Sequence, residues 1–501
     1  TINALIAGEA VDMDSKISKL KNIFVEHDID ISTKAIISEA KKRNIPVSLV
    51  NDGELIRLGY GKYQKHVSAT LFEDTSSIAA GITCSKQSAK EVLNAGSSIL
   101  DTIFPQGALF TIPIVSITGT NGKTTTTRMI SSILRHQGFT VGTTTSQGIY
   151  INDRRIKAGD TTGPKSAKSI LHNTEVEAAV LETARGGIIR RGLAYEKADV
   201  AVFTNLTRDH IGMDDINTMD ELLNAKSLVL EAVKDNGVCV LNADDPRVMK
   251  IRKKAKGKQI LFSLDDKNPI LLEHMDKGGT AVYRRENGVY TSSGGVTKKI
   301  IGLKDIPATL DGKLVHNIYN SMAAIGACLA IEVPFSVIKK ALSEFNCDAS
   351  SNPGRFNIYD LGEFKVIMDF GHNIDGYRVT LQGLKALAHS RLVGLIRAPG
   401  DRLFTDIISM GKISGMTFDR IIIREDKDLR GRQPLEVANL LYHGALTGGM
   451  SNDRIEIIPD EEEALKKAIK EARNGDVIII FFEKMEPLMQ IIEEYKTHIY
   501  R

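Results

Sequence analysis

The stretch Ile114–Arg128 (IVSITGTNGKTTTTR) constrains the chain most. Ile114 to Thr118 is a short apolar, β-branched run and reads as a buried parallel strand. Gly119, Thr120, Asn121, Gly122, Lys123 and Thr124 follow. Met129, Ile130, Ile133 and Leu134 then recur at helical spacing, and Gly138 is placed to end that helix. Strand, glycine turn and helix N-terminus in this order suit a bound triphosphate. Glycines let the backbone approach phosphate, and free N–H groups at a helix start attract an anion. Lys123 would reach the outer phosphates and the Thr124 hydroxyl would hold Mg²⁺. The strict loop pattern has a further glycine, and its position is Ile117 here, so the shorter Gly-x-x-Gly-Lys-Thr remains.

Composition narrows the classes. The 501 residues are enough for two to four domains. With 65 basic against 62 acidic residues, a net charge of +3 gives no argument for nucleic acid or a membrane surface. The chain has no Trp, and aromatics make up 6%, which disfavours stacking platforms for bases. No apolar run approaches the ~18 residues of a membrane-spanning helix. The first residues lack the basic flank of a signal peptide. Cys84, Cys239, Cys328 and Cys347 have no metal-ligand spacing, and Cys239 and Cys328 read as core. A reducing cytoplasm fits these features.

Three regions are expected. Residues 1–110 read as a small N-terminal α/β domain. In it Ser32 or Thr33 caps a helix, Ile45–Val50 forms a strand, and a turn follows at Asn51, Asp52 and Gly53. Leu58–Gly61 and a polar stretch, Glu73–Ser77, come next. No residue group there suggests chemistry, and a docking or capping role is favoured. Residues 111–346 alternate strand and helix, the mark of a mostly parallel sheet. Strands are predicted at Ile114–Thr118, Ala178–Glu182, Val200–Asn205, Val238–Asn242 and Gln259–Ser263, with a small β excursion over 265–313. Glu182, Asn205 and Asn242 fall at strand C-termini, where open α/β sheets bind ligands. The turn-rich Cys347–Gly354 reads as a linker into a second α/β unit, residues 347–501. Its strands are Phe364–Phe370, Leu392–Arg397, Arg420–Arg424 and Asp476–Phe482.

Further residues could join the phosphate loop. Glu182 ends a continuous apolar strand, where a surface carboxylate is unusual, and its oxygens suit Mg²⁺. Asp209 and His210 also follow an apolar strand, though such a pair is commonly structural. Lys226 on a helix is by default a solvated lysine. His316 and Asn317 open an Ala-rich helix. Arg355 could clamp a phosphate, because guanidinium matches it bidentately.

Taken together, GTNGKTT at Gly119–Thr125, TNLTRDH at Thr204–His210, Lys226, NADDP at Asn242–Pro246, His316 with Asn317, and PGR at Pro353–Arg355 resemble the Mur ligase family. One branch is closer. GDTTGP at Gly159–Pro164, LETARGG at Leu181–Gly187, DHIG at Asp209–Gly212 and EDKDLRGR at Glu425–Arg432 look like the Mur-like half of cyanophycin synthetase. The resemblance runs from about residue 111 onward. It implies a central ATPase domain, a C-terminal Rossmann-like α/β domain and an ADP-forming ligase that joins an amine to a carboxylate through an acyl phosphate. ATP and Mg²⁺ are the implied cofactors. Gly119, Thr120, Asn121, Gly122, Lys123, Thr124 and Thr125 would hold the phosphates. Thr124 and Glu182 would hold one Mg²⁺, and His210 with a carbamylated Lys226 a second. Asn317 and Asp369 would grip the nucleoside, and Arg355 the γ-phosphate.

The resemblance also extends to substrates. Thr161, Thr162, Arg185 and His372 would lie near them. Asp426 and Asp428 sit at a strand's C-terminal edge and would face the cleft, so a basic amine donor is expected, arginine first and lysine second. An acidic amino acid or peptide would supply the carboxylate. Two departures fall near the substrates. The family's DYAHNP reads DFGHNI at Asp369–Ile374, and its GGPGDR reads RAPGDR at Arg397–Arg402. Residues 33 to about 90 resemble only the segment entering an ATP-grasp region, whose body is expected to be absent. A non-ligating ATP-binding scaffold, a separate ATP-grasp partner and a homo-oligomer all stay open.

Overall fold

The computed structural model describes residues 31–50, 55–68, 89–208 and 216–499. The chain forms two compact units. One spans Thr1–Ile112 with His172–Glu175, and the other spans Pro113–Leu171 with Val176–Arg501.

In the first unit, helices α1 (Ile31–Lys42) and α2 (Ala89–Ile103) accompany an antiparallel sheet of β1 (Val47–Val50), β2 (Leu55–Leu58) and β3 (Lys65–Ser68). Ile36, Ala40, Ile56, Leu58, Leu100 and Phe104 form its core. The helix already contains Ser32 and Thr33, so neither is its cap. The strand starts at Val47 rather than Ile45, because the Ile45 N–H closes the helix by donating to the Ala40 carbonyl (2.8 Å). Pro46 then has no N–H to offer a sheet. The expected turn at 51–53 and the stretch 73–77 lie outside the described residues.

The second unit contains two sheets. The larger takes β4 (Ile114–Thr118), β5 (Val141–Thr145), β6 (Gly148–Ile151), β7 (Arg154–Ala158), β8 (Ala178–Glu182), β9 (Ala198–Phe203), β10 (Val233–Asn242), β11 (Lys258–Ser263), β12 (Thr280–Arg285), β13 (Gly288–Ser293) and β14 (Val296–Gly302). Their order is β14-β13-β12-β11-β10-β9-β4-β8-β5-β6-β7. The seven from β12 to β5 run parallel, and antiparallel hairpins extend both edges. All five residues of β4 are buried, as expected for a strand covered on both faces. The expected β excursion over 265–313 is thus an edge of this sheet, joined through the parallel β11–β12 pair.

Register fixes the site. Ile117 pairs with Glu182, Thr118 with Phe203, and Leu241 with Phe203. The C-terminal ends of β4, β8, β9 and β10 therefore lie at one edge. Helix α3 (Lys123–His136) follows β4 and packs Met129, Ile130, Ile133 and Leu134 into the core with Ile318, Met322 and Ile325. Gly138 follows α3 at φ 100° and donates its N–H to the Arg135 carbonyl. Cys239 and Cys328 are buried in the core, and burial pushes both thiols up, that of Cys239 to about 12.

The smaller sheet takes β15 (Asn357–Asp360), β16 (Lys365–Asp369), β17 (Arg391–Ile396), β18 (Arg420–Ile423), β19 (Ile455–Ile457) and β20 (Asp476–Phe481). Its order is β15-β16-β20-β17-β18-β19, with only β15 antiparallel to its neighbour. Separate apolar clusters cover its two faces. The mixed α/β architecture agrees with the predicted fold class. Among the described residues no helix is long and apolar enough to cross a membrane.

Candidate active site

The phosphate loop is held from several sides. Gly122 has φ 84°, and a Cβ there would stand 2.3 Å from Asn320 Oδ1, so only glycine fits without a shift. A Cβ on Gly119 would stand 2.0 Å from Thr204 Oγ1. Thr120 N donates to Asn205 O (2.9 Å) and Asn121 N to Asn205 Oδ1 (2.9 Å). Asn205 Nδ2 and Thr204 Oγ1 both donate to Asn121 O (3.0 and 2.7 Å). Lys123 folds over the loop and donates to Thr120 O (2.8 Å). The first turn of α3 carries no acidic residue, so the helix N-terminus keeps its attraction for an anion.

Beside the loop lies an oxygen cluster. Thr124 Oγ1 donates to Glu182 Oε2 (2.9 Å), and the same carboxylate oxygen accepts from Ser146 N (3.2 Å). Both Thr124 and Glu182 are buried. Arg355 Nη2 donates to Thr124 Oγ1 (3.0 Å) and Ser146 Oγ (3.1 Å). These oxygens thus already carry one cation, and the set suits a hard cation in chemistry as well. Among the described residues no group of three or more His, Cys, Asp or Glu could enclose a metal. A bound Mg²⁺ would therefore draw its remaining ligands from water and phosphate. The buried Lys226 donates to the Gly119 carbonyl, directly beneath the loop. His210 lies outside the described residues.

Arg355 owes its position to Asp369. Phe356 N and Gly371 N donate to the Asp369 carboxylate (2.9 and 2.8 Å), which pins the turn carrying Arg355. Burial pushes the Asp369 carboxyl up, against the pull of Arg355 and these two N–H groups. Burial likewise lowers the Arg355 guanidinium. The preceding segment also grips α3, since Asn352 Nδ2 donates to Thr125 Oγ1 (3.0 Å). The expected linker is thus part of the site.

One cleft of about 760 Å³ collects most of the predicted residues. Thr120, Asn121, Gly122, Lys123, Thr124, Thr125, Thr162, Glu182, Asn317, Arg355, Asp369 and His372 all line it. The Asn317 amide has internal partners, donating to Ala308 O (2.7 Å) and accepting from Asn320 Nδ2 (3.1 Å). Thr161 does not line the cleft, because its hydroxyl donates to Thr145 O (2.7 Å). Arg185 is buried at the start of its helix, away from the cleft lining.

The expectation for Asp426 and Asp428 needs correction. Neither lines the cleft. Asp426 is buried between Arg397 Nη1 (2.6 Å) and Arg424 Nη1 (3.0 Å). Asp428 accepts from Arg430 N (3.0 Å) within its own turn. Glu425 accepts from Leu435 N (2.7 Å) and Ala438 N (3.2 Å) at the start of helix Glu436–Thr447. Asp426 is held by the two arginines and Glu425 by the helix start, and this end of the cleft shows Arg397, Arg402 and Arg430 instead. β17 and β18 are adjacent, with Ile396 opposite Ile423. That register brings Arg397 and Arg424 to one carboxylate, a meeting no linear motif displays. Asn205, expected at the ligand-binding edge of the sheet, holds the loop backbone there, whereas Ser146 was missed because it follows a strand the sequence hid.

Comparison with known proteins is consistent with this geometry. The Mur ligase middle domain matches residues 117–328, and the Mur ligase, glutamate ligase domain matches residues 354–481. The cyanophycin synthetase of Synechocystis sp. is 39% identical over 403 residues, covering 80% of this chain and 46% of that protein. The chain therefore spans about half the length of the cyanophycin synthetases it matches. The UDP-N-acetylmuramoyl-L-alanyl-D-glutamate–2,6-diaminopimelate ligase of Clostridium botulinum is 30% identical over 401 residues, covering 77% of this chain and 76% of that one. Among solved structures, a bifunctional folylpolyglutamate synthase/dihydrofolate synthase with Mn, AMPPNP and L-glutamate bound has the same fold. Its TM-score is 0.55 at 17% identity, over 76% of this chain and 89% of that one.

Proposed function

The chain belongs to the Mur ligase family, and from that premise we propose that it is an ATP-dependent carboxylate–amine ligase working through an acyl phosphate. One observation carries the reading. Arg355, from the second sheet's side, donates to Thr124 at the phosphate loop while Thr124 donates to Glu182. The loop that would clamp phosphate, the oxygens that would hold a cation and a guanidinium line one cleft.

In the first step a substrate carboxylate oxygen attacks the γ-phosphorus of ATP, and the bond from that phosphorus to the ADP oxygen breaks. Lys123 and the loop N–H groups hold the outer phosphates, and Arg355 meets the transferred group. Such a transfer needs positioning and charge neutralisation more than covalent help from the protein. In the second step an amine nitrogen attacks the carbonyl carbon, phosphate leaves, and the nitrogen loses a proton to solvent. Mg²⁺, when bound, supplies charge neutralisation on phosphate oxygens. Thr124 and Glu182 would hold one ion, and His210 with Lys226 as a carbamate a second. A carbamate would turn the Lys226 ammonium, which donates to the Gly119 carbonyl, into an oxygen ligand. The carboxylate substrate is an acidic amino acid or short acidic peptide.

A screen of ADP release over pairs of amino acids and short acidic peptides tests the reading. Release that requires both a carboxylate and an amine supports it. ATP binding without turnover for any pair would leave a nucleotide-binding scaffold instead.

A further inference from the structure

A tie spans the cleft away from the linker. Bonds from the linker turn itself run from Asn352 Nδ2 to Thr125 Oγ1 (3.0 Å), from Gln147 Nε2 to the Pro353 carbonyl, and from Arg355 to Thr124. They sit where the chain crosses between the two sheets. A bond beside that crossing resists a pivot of one sheet on the other only weakly, because its lever arm is short. Asn373 lies beyond β15 and β16, at the start of helix Ile374–Lys385. Its Nδ2 donates to Asn121 Oδ1 (3.2 Å), and Asn121 Nδ2 donates back to Asn373 Oδ1 (3.4 Å).

The backbone fixes both amides in this sense. Asn373 caps its helix, and its Oδ1 accepts from Gly376 N (2.8 Å), so the other atom of that amide is the donor. Asn121 then presents its oxygen to Asn373 Nδ2. Asn373 is buried, 4% exposed. Asn121 is held from the other side as well. Its N donates to Asn205 Oδ1, and its carbonyl accepts from Thr204 and Asn205. One residue of the phosphate loop is thus bound through its backbone to the first sheet and through its side chain to the second. Gly376 lines the cleft at the same place, and a Cβ there would stand 3.9 Å from Asn121 Oδ1.

We propose that the Asn121–Asn373 amide pair straps the second sheet over the phosphate loop, and that Asn373 is a positioning residue that keeps water from the acyl phosphate until the amine attacks. The role rests on the ligase reading, and the contact rests on the geometry. An acyl phosphate has two fates. Attack by the amine nitrogen on its carbonyl carbon breaks the bond to the phosphate oxygen and yields amide and phosphate. Attack by water breaks the same bond and returns the carboxylate with phosphate, so that the net change is ATP hydrolysis. A closed site excludes water and suppresses that loss. Without the strap, the start of helix Ile374–Lys385 lifts from the loop and water competes with the amine.

The ratio of amide formed to ADP released tests the strap in two variants of the full chain. Asn373→Ser keeps a good helix cap, but its hydroxyl is too short to reach Asn121. Asn121→Ala keeps the backbone bonds to Thr204 and Asn205. In each the ratio should fall about threefold or more, the scale of one lost hydrogen-bonded contact. The double variant should fall no further than the worse single one, because both changes remove the same contact. An unchanged ratio in either single variant, or losses that multiply in the double, overturns the proposal. Hydrogen exchange with the β,γ-imido analogue of ATP and Mg²⁺ tests the contact without turnover. The Gly376 and Tyr377 amides both donate to Asn373, and in Asn121→Ala they should exchange about fivefold faster or more. Unchanged exchange also overturns the proposal. If no pair of carboxylate and amine yields an amide, the ligase reading fails, and exchange alone decides the strap.

Discussion

Arg355 Nη2 lies 3.0 Å from Thr124 Oγ1 although 231 positions separate the two residues. This contact joins the turn pinned by Asp369 to the first turn of α3. Arg355→Ala should therefore lower ADP release by about 100-fold or more, the usual effect of losing a charge-stabilising donor. Unfolding temperature should change little by comparison. Asp369→Asn should also lower the rate, because the Phe356 N–H that fixes the Arg355 turn loses its charged acceptor. Steady-state ADP release with a thermal melt for each variant checks both.

Gly122→Ala tests the loop backbone. Its φ of 84° and the 2.3 Å approach to Asn320 Oδ1 oppose any side chain. A non-glycine residue in this region costs about 1–2 kcal/mol before the clash is counted. ATP affinity should fall more than global stability. Gly122→Ala with Asn320→Ala should recover only part, because the clash is relieved and the backbone strain is not.

The sequence made the first sheet's centre legible for a physical reason. β4 and β8 are short runs buried on both faces and β11 is buried from Ile260 onward, and their predicted limits agree with the observed ones to within a residue. β5 was not legible. Val141–Thr145 is mostly polar, yet wholly buried, because its hydroxyls find partners, Thr143 in Ser131 Oγ (2.8 Å) and Thr145 in the Gly148 carbonyl (3.3 Å). Ser146 was missed with it. The Asp426 environment failed differently, since an acidic run shows its charge but not the arginines that adjacent strands bring to it. Thr124, Glu182 and Arg355 were readable because each sits at a strand end, at a helix start or in a glycine turn.

His316 gives a pH prediction. Its Nδ1 is buried without a partner, and burial lowers the ring from 6.5 to about 4. The unfolded chain therefore binds a proton between these values that the folded chain does not. Stability is retained above pH 6.5 and falls as pH drops toward 4, by at most about 3 kcal/mol from this group. Chemical unfolding from pH 7.5 to 4.5 should show a shallower loss for His316→Phe than for the wild type. Parallel profiles would remove His316 from the account.

Lys226 gives a prediction about modification. Lys226→Ala should be inactive and regain part of its rate with short-chain carboxylic acids, which supply the missing oxygens. Bicarbonate should stimulate the wild type. An intact mass lacking the added carbon dioxide at saturating bicarbonate, together with no bicarbonate effect on rate, would count against the carbamate.

The central claim is that ATP phosphorylates a carboxylate in this cleft. Incubation with ATP, Mg²⁺, the carboxylate that supports ADP release and hydroxylamine in place of the amine tests it most directly. The account predicts a hydroxamate of that carboxylate, formed in step with ADP and lost in Lys123→Ala and Arg355→Ala. ADP formation at the normal rate with no hydroxamate would contradict it.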